Sequence, residues 1–175
     1  MVHTPRSRLE ELIKNGSIGL YCNSNKAWVS DADEFYWFES IFEDENVVYA
    51  ISPKHKSIEK FDQIETPLGA IKGFSYHPEI EKTFKNVGRY NLKSHDNLIQ
   101  FLERKRIEFI ISSKNVLEYY FRKKEVKAFP VTSFRDKFTY DCVVSKKINI
   151  NKNKLFKSLE KFKALRESSD TAVKN

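Results

Sequence analysis

Pro67-Leu68-Gly69-Ala70-Ile71-Lys72-Gly73-Phe74-Ser75-Tyr76-His77-Pro78-Glu79 is the stretch on which the reading of this chain turns. Residues 67–71 form a short apolar run bounded by turn formers, which predicts a strand. Gly73 supplies the turn. Pro78 then fits the first position of a helix over 77–86, His77 can cap it, and Glu79 and Glu81 put acids in the first turn, where the helix dipole favours them. A strand turning into a helix is half of a parallel βαβ unit, and the pattern continues downstream. Residues 90–92 read as a weak strand, and Ser94 can cap a helix carrying Leu98, Ile99, Phe101 and Leu102. Residues 108–111 read as a strand and 115–122 as a helix. Strands alternating with helices predict parallel pairing in an α/β fold.

Outward from this centre the signals change. A helix is expected over 4–15, with Thr4 as cap, Pro5 at its first position, Leu9, Leu12 and Ile13 as its buried stripe and Gly16 as its stop. A strand follows over 18–22. Residues 23–45 are expected to form a polar loop holding Trp28, Phe35, Tyr36, Trp37 and Phe38, and 46–51 a strand stopped by Pro53. Towards the other end, 126–132 and 138–145 read as strands. An amphipathic helix over 151–166 carries Leu155, Phe156, Leu159, Phe162 and Leu165 on one side.

Composition narrows the function classes. The 175 residues include 40% apolar and 14% aromatic side chains, too much apolar material for a disordered chain. The net charge of +7 is spread along the chain. Its short runs, such as Arg104-Lys105-Arg106 and Arg122-Lys123-Lys124, fall at helix ends, where the dipole favours cations. Nucleic-acid binding on charge alone is therefore a minority reading. Cys22 and Cys142 match neither a metal motif nor a redox pair. No apolar run approaches a membrane span, and Met1-Val2-His3-Thr4-Pro5-Arg6 does not open a signal peptide. There is no G-x-S-x-G elbow, and Gly69 and Gly73 lack the Lys and Ser/Thr of a phosphate loop. His77 reads as a cap and His95 as a first-turn helix residue. No catalytic residue, metal site or cofactor is expected, and the chain reads as a non-enzyme.

The opening stretch is similar to the "R-I-G-x-x-x-G-Y-x-Y-P-E" segment that begins the second lobe of type 2 periplasmic solute-binding proteins, the family 3-like substrate-binding proteins of ABC transporters. Residues 15–28 resemble that family's helix, "G-x-I-D" and strand unit. Residues 35–43 resemble the segment before the hinge, and 47–53 the first hinge strand. Residues 94–111 resemble the "S-x-x-x-x-L-x-x-L-x-x-G-R-I-D" unit, 126–132 the return hinge strand, and 140–147 the strand ending in "S-K".

The resemblance implies an α/β fold of two lobes. A partial lobe one would span 1–52 and 127–175, lacking the family's N-terminal β-α-β portion, and lobe two would span 53–126. It implies a small polar solute held in an inter-lobe cleft for ABC-type uptake or sensing, with an ABC permease in the membrane as partner. It also implies a periplasmic location where the full-length protein carries a signal peptide. The strand after the first helix would pair with the strand returning from lobe two, bringing Cys22 and Cys142 together. An incomplete lobe one implies an exposed edge through which two copies could associate. The alternatives are the effector-binding domain of a transcriptional regulator, which uses the same fold, and a basic nucleic-acid-binding protein.

The candidate ligand-binding residues are Asn23, Asn25, Trp28, Gly73, Phe74, Tyr76, Ser94 and Ser112. Helix starts after Tyr76 and Ser94 offer free N–H groups. The asparagines offer donors and acceptors, and Trp28 a stacking face. Amino-acid-binding members carry an Arg before the hinge and an Asp after the last lobe-two strand. Here 30–38 contains no Arg, Ser112-Ser113 follow Ile111, and Glu108 stands at the "G-R-I-D" acid. A standard L-amino acid held by an Arg clamp is therefore not the expected ligand.

Overall fold

The computed structural model describes residues 6–29, 31–131 and 135–172. Thr4 and Pro5, the expected cap and first residue of the opening helix, lie outside them. The chain divides into two compact units, Met1–Glu43 with Thr139–Asn175, and Asp44–Phe138. The division falls inside two long strands, β2 (Phe35–Ala50) and β7 (Asp136–Ser145). The sequence expectation put it at 52/53 and 126/127. Residues Asn46 to Tyr49 pair with a strand of the second unit, which builds them into that unit's sheet.

In the first unit, α1 (Arg6–Lys14) ends at Gly16, whose φ of +84° is a conformation that suits glycine. It leads into β1 (Leu20–Ser24), antiparallel to β7. Cys22 lies directly opposite Cys142 with Cα atoms 3.9 Å apart, and the two form a disulfide. β1 is a terminal strand of its sheet among the described residues. Ile13, Phe35 and Val143 form a small core, with Leu9, Ile18, Tyr21, Val29 and Trp37 against it. The Trp37 indole donates to the carbonyl of Ala32 at 2.7 Å, which satisfies its polar edge inside this packing. The last helix, α5 (Lys152–Ala172), sets Phe156 edge-on to Phe38 at 5.6 Å and leaves Phe162 and Leu165 exposed.

The expected loop over 23–45 is instead the end of β1, two 3-10 turns, Lys26–Trp28 and Ala32–Glu34, and the first eleven residues of β2. Here Phe35, Phe38 and Ile41 are buried at a spacing of three. The two-residue alternation is interrupted at Ser40, which has φ of +55° and donates its N–H to Asp141 Oδ1 at 2.9 Å. Without alternation the segment carries no strand signal in the sequence.

The second unit holds the expected alternation of strands and helices. Its strands are β3 (Leu68–Ile71), β4 (Arg89–Leu92), β5 (Phe109–Ser113) and the short β6 (Phe129–Pro130), the remnant of the strand expected over 126–132. β3 runs parallel to both β4 and β5, β5 is antiparallel to β2, and β6 pairs with the other edge of β2 at Tyr49 and Ala50. The helices are α2 (Pro78–Val87), α3 (His95–Glu103) and α4 (Lys114–Lys124). Successive residues of β2 enter two separate cores. Val47 and Tyr49 join Leu98, Leu102 and Leu117, while Val48 and Ala50 join Leu68, Ile80 and Phe109. A sheet buried on both faces reads as a continuous apolar run, as Phe109-Ile110-Ile111 does. Gly69 is needed where α3 closes on β3: a Cβ there would meet Ile107 Cδ1 at 2.4 Å and Leu98 Cδ1 at 3.1 Å.

Candidate functional site

Because β3, β4 and β5 are parallel, their carboxyl ends share one edge of the second unit's sheet, and the helix that follows each begins there. This is where open α/β sheets bind ligands. Each helix start is capped by a side chain. His77 Nδ1 accepts from the Glu79 N–H, Ser94 Oγ from Asn97 and Ser113 Oγ from Val116.

Four of the candidate residues belong to this edge. Gly73 is exposed, with φ of +82° and nothing within 4 Å of where a Cβ would stand. Phe74 is half-buried beside it, with its ring 6.3 Å from that of His95. Ser94 opens α3, and His95 follows it. The His95 Nε2 lies 3.0 Å from Ser112 Oγ, and the imidazole stacks on Tyr120 at 5.7 Å. Burial pushes the His95 imidazole below its ordinary pKa, against the pull of Asp96. The Ser112–His95 distance is that of a nucleophile and its base. Ser112, however, is 0% exposed within β5, so no substrate reaches its hydroxyl and the bond serves to orient the imidazole.

Tyr76 is turned inward. It is 8% exposed, and its hydroxyl donates to the carbonyl of Ile111 at 3.3 Å. Burial raises its phenol pKa far above the ordinary value, so it stays a neutral donor. Arg89, just before the weak strand expected over 90–92, holds the loop between β3 and α2. Its Nη2 donates to the carbonyls of Ile71 at 2.9 Å and Phe74 at 2.7 Å, while its guanidinium lies over the rings of Phe84 and Tyr76.

A carboxylate also stands at this edge. Asp44, 9% exposed on β2, accepts a hydrogen bond from Ser113 Oγ and, through its other oxygen, from the N–H groups of Glu45 at 2.8 Å and Asn115 at 3.4 Å. Negative charge at the start of α4 is favoured by its dipole. The sequence reading had only serines at this position. Asp44 arrives through the antiparallel register Asn46↔Ser113, a long-range pairing that no local motif announces.

The remaining candidates lie in the first unit. Asn23 is exposed at a bulge in β1, with φ of +108°, where the register steps from Cys22↔Cys142 to Ser24↔Asp141. Asn25 is committed at both ends of its side chain. Its Oδ1 accepts from the Ala27 N–H at 2.8 Å, and its Nδ2 donates to the Thr139 carbonyl at 2.8 Å. Trp28 is half-buried and edge-on to Tyr140 at 6.1 Å. Asp141, 3% exposed, accepts from the N–H groups of Ser40 and Lys26 and holds this turn together.

Among the described residues, no group of His, Cys, Asp and Glu could hold a metal ion. No helix among them is long and apolar enough to cross a membrane.

No family model matches the sequence, and no curated protein matches it. Solved structures do. A mutant of the arginine-binding protein ArgBP from T. maritima superposes with a TM-score of 0.72 at 11% identity, over 98% of this chain and 73% of that one. The fold is that of a type 2 periplasmic solute-binding protein. An amino acid ABC transporter substrate-binding protein, AbpA from Streptococcus pneumoniae bound to L-arginine, gives 0.71 at 13% identity, over 97% of this chain and 70% of that one. An ancestral arginine-binding protein bound to glutamine gives 0.68 at 14% identity, over 97% and 74%. At these identities the likeness carries the fold, which is the α/β solute-binding plan that the sequence motifs pointed to.

Proposed function

We propose that this chain is a non-catalytic solute-binding module that holds a small polar solute for ABC-type uptake or sensing. The observation that carries the proposal is the edge of the second unit, where three parallel strands end and three capped helices begin around Gly73, Phe74, Ser94 and Asp44. Such an edge offers N–H donors, a serine hydroxyl and one carboxylate, and suits recognition by hydrogen bonds. The structural neighbours are named as binding proteins, which supports the same reading. At this edge we assign ligand contact to the Gly73 backbone, the Phe74 ring and Ser94, with Tyr76 and Ser112 supporting them from behind; in the first unit we assign it to Asn23 and Trp28, with Asn25 behind them. The lack of an Arg in 30–38 speaks against an L-amino acid held by an Arg clamp. We assign the protein to the periplasm where its full-length form carries a signal peptide, with a membrane permease as partner, and the Cys22–Cys142 disulfide fits an oxidising compartment.

The test is a thermal-shift screen of small polar solutes, followed by calorimetry on the hits. A true solute at a hundred times its dissociation constant adds about 2.7 kcal/mol of stability. Trp28→Ala is expected to weaken binding about tenfold, the loss of a stacked ring. Tight binding of ordinary amino acids, unaffected by Trp28→Ala, would overturn the assignment.

A further inference from the structure

A recess of about 320 Å³ opens in the second unit, lined by Val47, Tyr49, Lys114, Glu118, Phe121, Arg122, Ala128, Pro130 and Arg135. It is large enough for a single-ring organic molecule. None of the candidate solute-binding residues lines it. Val47, Phe121, Ala128 and Pro130 give it an apolar lining.

The charged lining residues, Lys114, Glu118, Arg122 and Arg135, carry a positive balance. Lys114 Nζ lies 3.2 Å and Arg135 Nε 3.9 Å from the same oxygen of Glu45, so one carboxylate serves two cations. Glu118 is engaged by the Tyr49 hydroxyl, which donates to its Oε1 at 3.1 Å. Burial and Glu118 together raise the Tyr49 phenol far above its ordinary pKa, which keeps it a donor. The phenol ring is held edge-on to Phe121 at 5.0 Å. Arg122 has no side-chain partner among the described residues. Among the charged lining residues, three cations, Lys114, Arg122 and Arg135, outnumber one carboxylate, Glu118, and Glu45 draws Lys114 and Arg135 but not Arg122.

We infer that this recess is a second ligand site, for a small organic anion with one carboxylate and an apolar body. The carboxylate goes to Arg122, whose planar fork matches its two oxygens, and the body lies against Phe121 and Pro130. An organic cation would meet three positive groups. A bare inorganic anion would leave the apolar lining uncovered.

Benzoate is the probe, followed by amide chemical shifts of the full chain, with benzylamine and inorganic phosphate as controls. Expected are saturable shifts at Val47, Tyr49, Phe121 and Arg122 with benzoate, and none there with benzylamine. Arg122 is exposed at the surface of α4, so Arg122→Gln is expected to leave the melting temperature unchanged while weakening benzoate at least about tenfold, the loss of the charge-assisted fork to the carboxylate. Trp28→Ala should leave benzoate binding alone, which separates this site from the proposed solute site. The inference is overturned by an absence of saturable shifts at these amides or by benzylamine binding equally well. It is overturned equally by phosphate matching benzoate or by Arg122→Gln binding benzoate like the parent chain.

Discussion

The two units solve the same problem with different means. In Asp44–Phe138 the sheet is covered on both faces, and the largest side chains below 2% exposure, from Phe109 and Ile64 to Leu117 and Val48, all belong to it. In the other unit the core around Ile13, Phe35 and Val143 is small, and among the described residues five of the seven exposed large hydrophobic ones lie there: Leu20, Tyr36, Ile150, Phe162 and Leu165. That unit also holds the disulfide, which ties strands 120 residues apart in the chain. Burial therefore organises one unit, while a covalent cross-link supplements burial in the other. The site edge, with its strand ends and capped helices, is built on the unit whose scaffold is rigid by packing.

The largest effect expected from breaking this contrast is in the packed unit. Ile110 is 0% exposed in β5, between Tyr49 of β2 and Gly69 of β3, and Ile110→Ala removes buried methyl groups that these neighbours cannot replace. A loss of about 4 kcal/mol is expected, read as a lower urea midpoint with unchanged slope. A loss below about 1 kcal/mol would mean the core relaxes around the cavity and is less rigid than its burial implies. Next comes the disulfide. Replacing Cys22 and Cys142 with Ser should cost about 3 kcal/mol, because the cross-link closes a long loop in the unfolded chain. Hydrogen exchange should then rise in β1 and along Asp141 to Ser145, while Phe109 to Ile111 stays protected. Equal loosening everywhere would erase the distinction between the units.

The same contrast explains what could be read from the sequence. The second unit is written in local signals. Pro78 and the acids after it mark α2, Ser94 marks α3, and the apolar run 109–111 marks a strand buried on both faces. The first half of β2 carries no strand signal because its buried residues, Phe35, Phe38 and Ile41, lie three apart and Ser40 takes a left-handed conformation within it. The Cys22–Cys142 pairing followed from the resemblance to solute-binding proteins and not from the cysteines themselves. At the site, the caps and Gly73 were legible because helix starts and positive φ have residue preferences. Asp44 and Arg89 were not, since each works through partners far away in the chain. Tyr76 was legible as an aromatic near the turn, but its inward direction depends on the Ile111 carbonyl, which only the folded sheet supplies.

The smallest expected effect is a dependence on pH that again separates the units. His55 and His95 both lie in Asp44–Phe138, and burial holds each imidazole below its ordinary pKa, against Glu108 for the first and Asp96 for the second. In the unfolded chain both take up protons near pH 6.5. Above that pH neither state carries those protons and the full stability is present. As the pH falls below about 6.5, the unfolded chain gains protons that the folded chain resists, so stability drops, by no more than about 1.4 kcal/mol per pH unit for each group. Glu108 and Asp96, whose carboxyls are held low chiefly by hydrogen bonds from Lys54 and Lys124, contribute stability that is lost only at lower pH, as it falls through the carboxylate range. The window between about pH 6.5 and 5 therefore belongs to the histidines. Urea midpoints measured across it should fall, and His95→Asn should flatten the fall while lowering stability at pH 7.5, because the Ser112 hydroxyl loses its imidazole partner. Hydrogen exchange at pH 5.5 should rise first in α3 and β5. If β1 and the Cys142 end of β7 loosen first instead, the cross-linked unit is the acid-sensitive one, and the burial of His95 does not govern the titration.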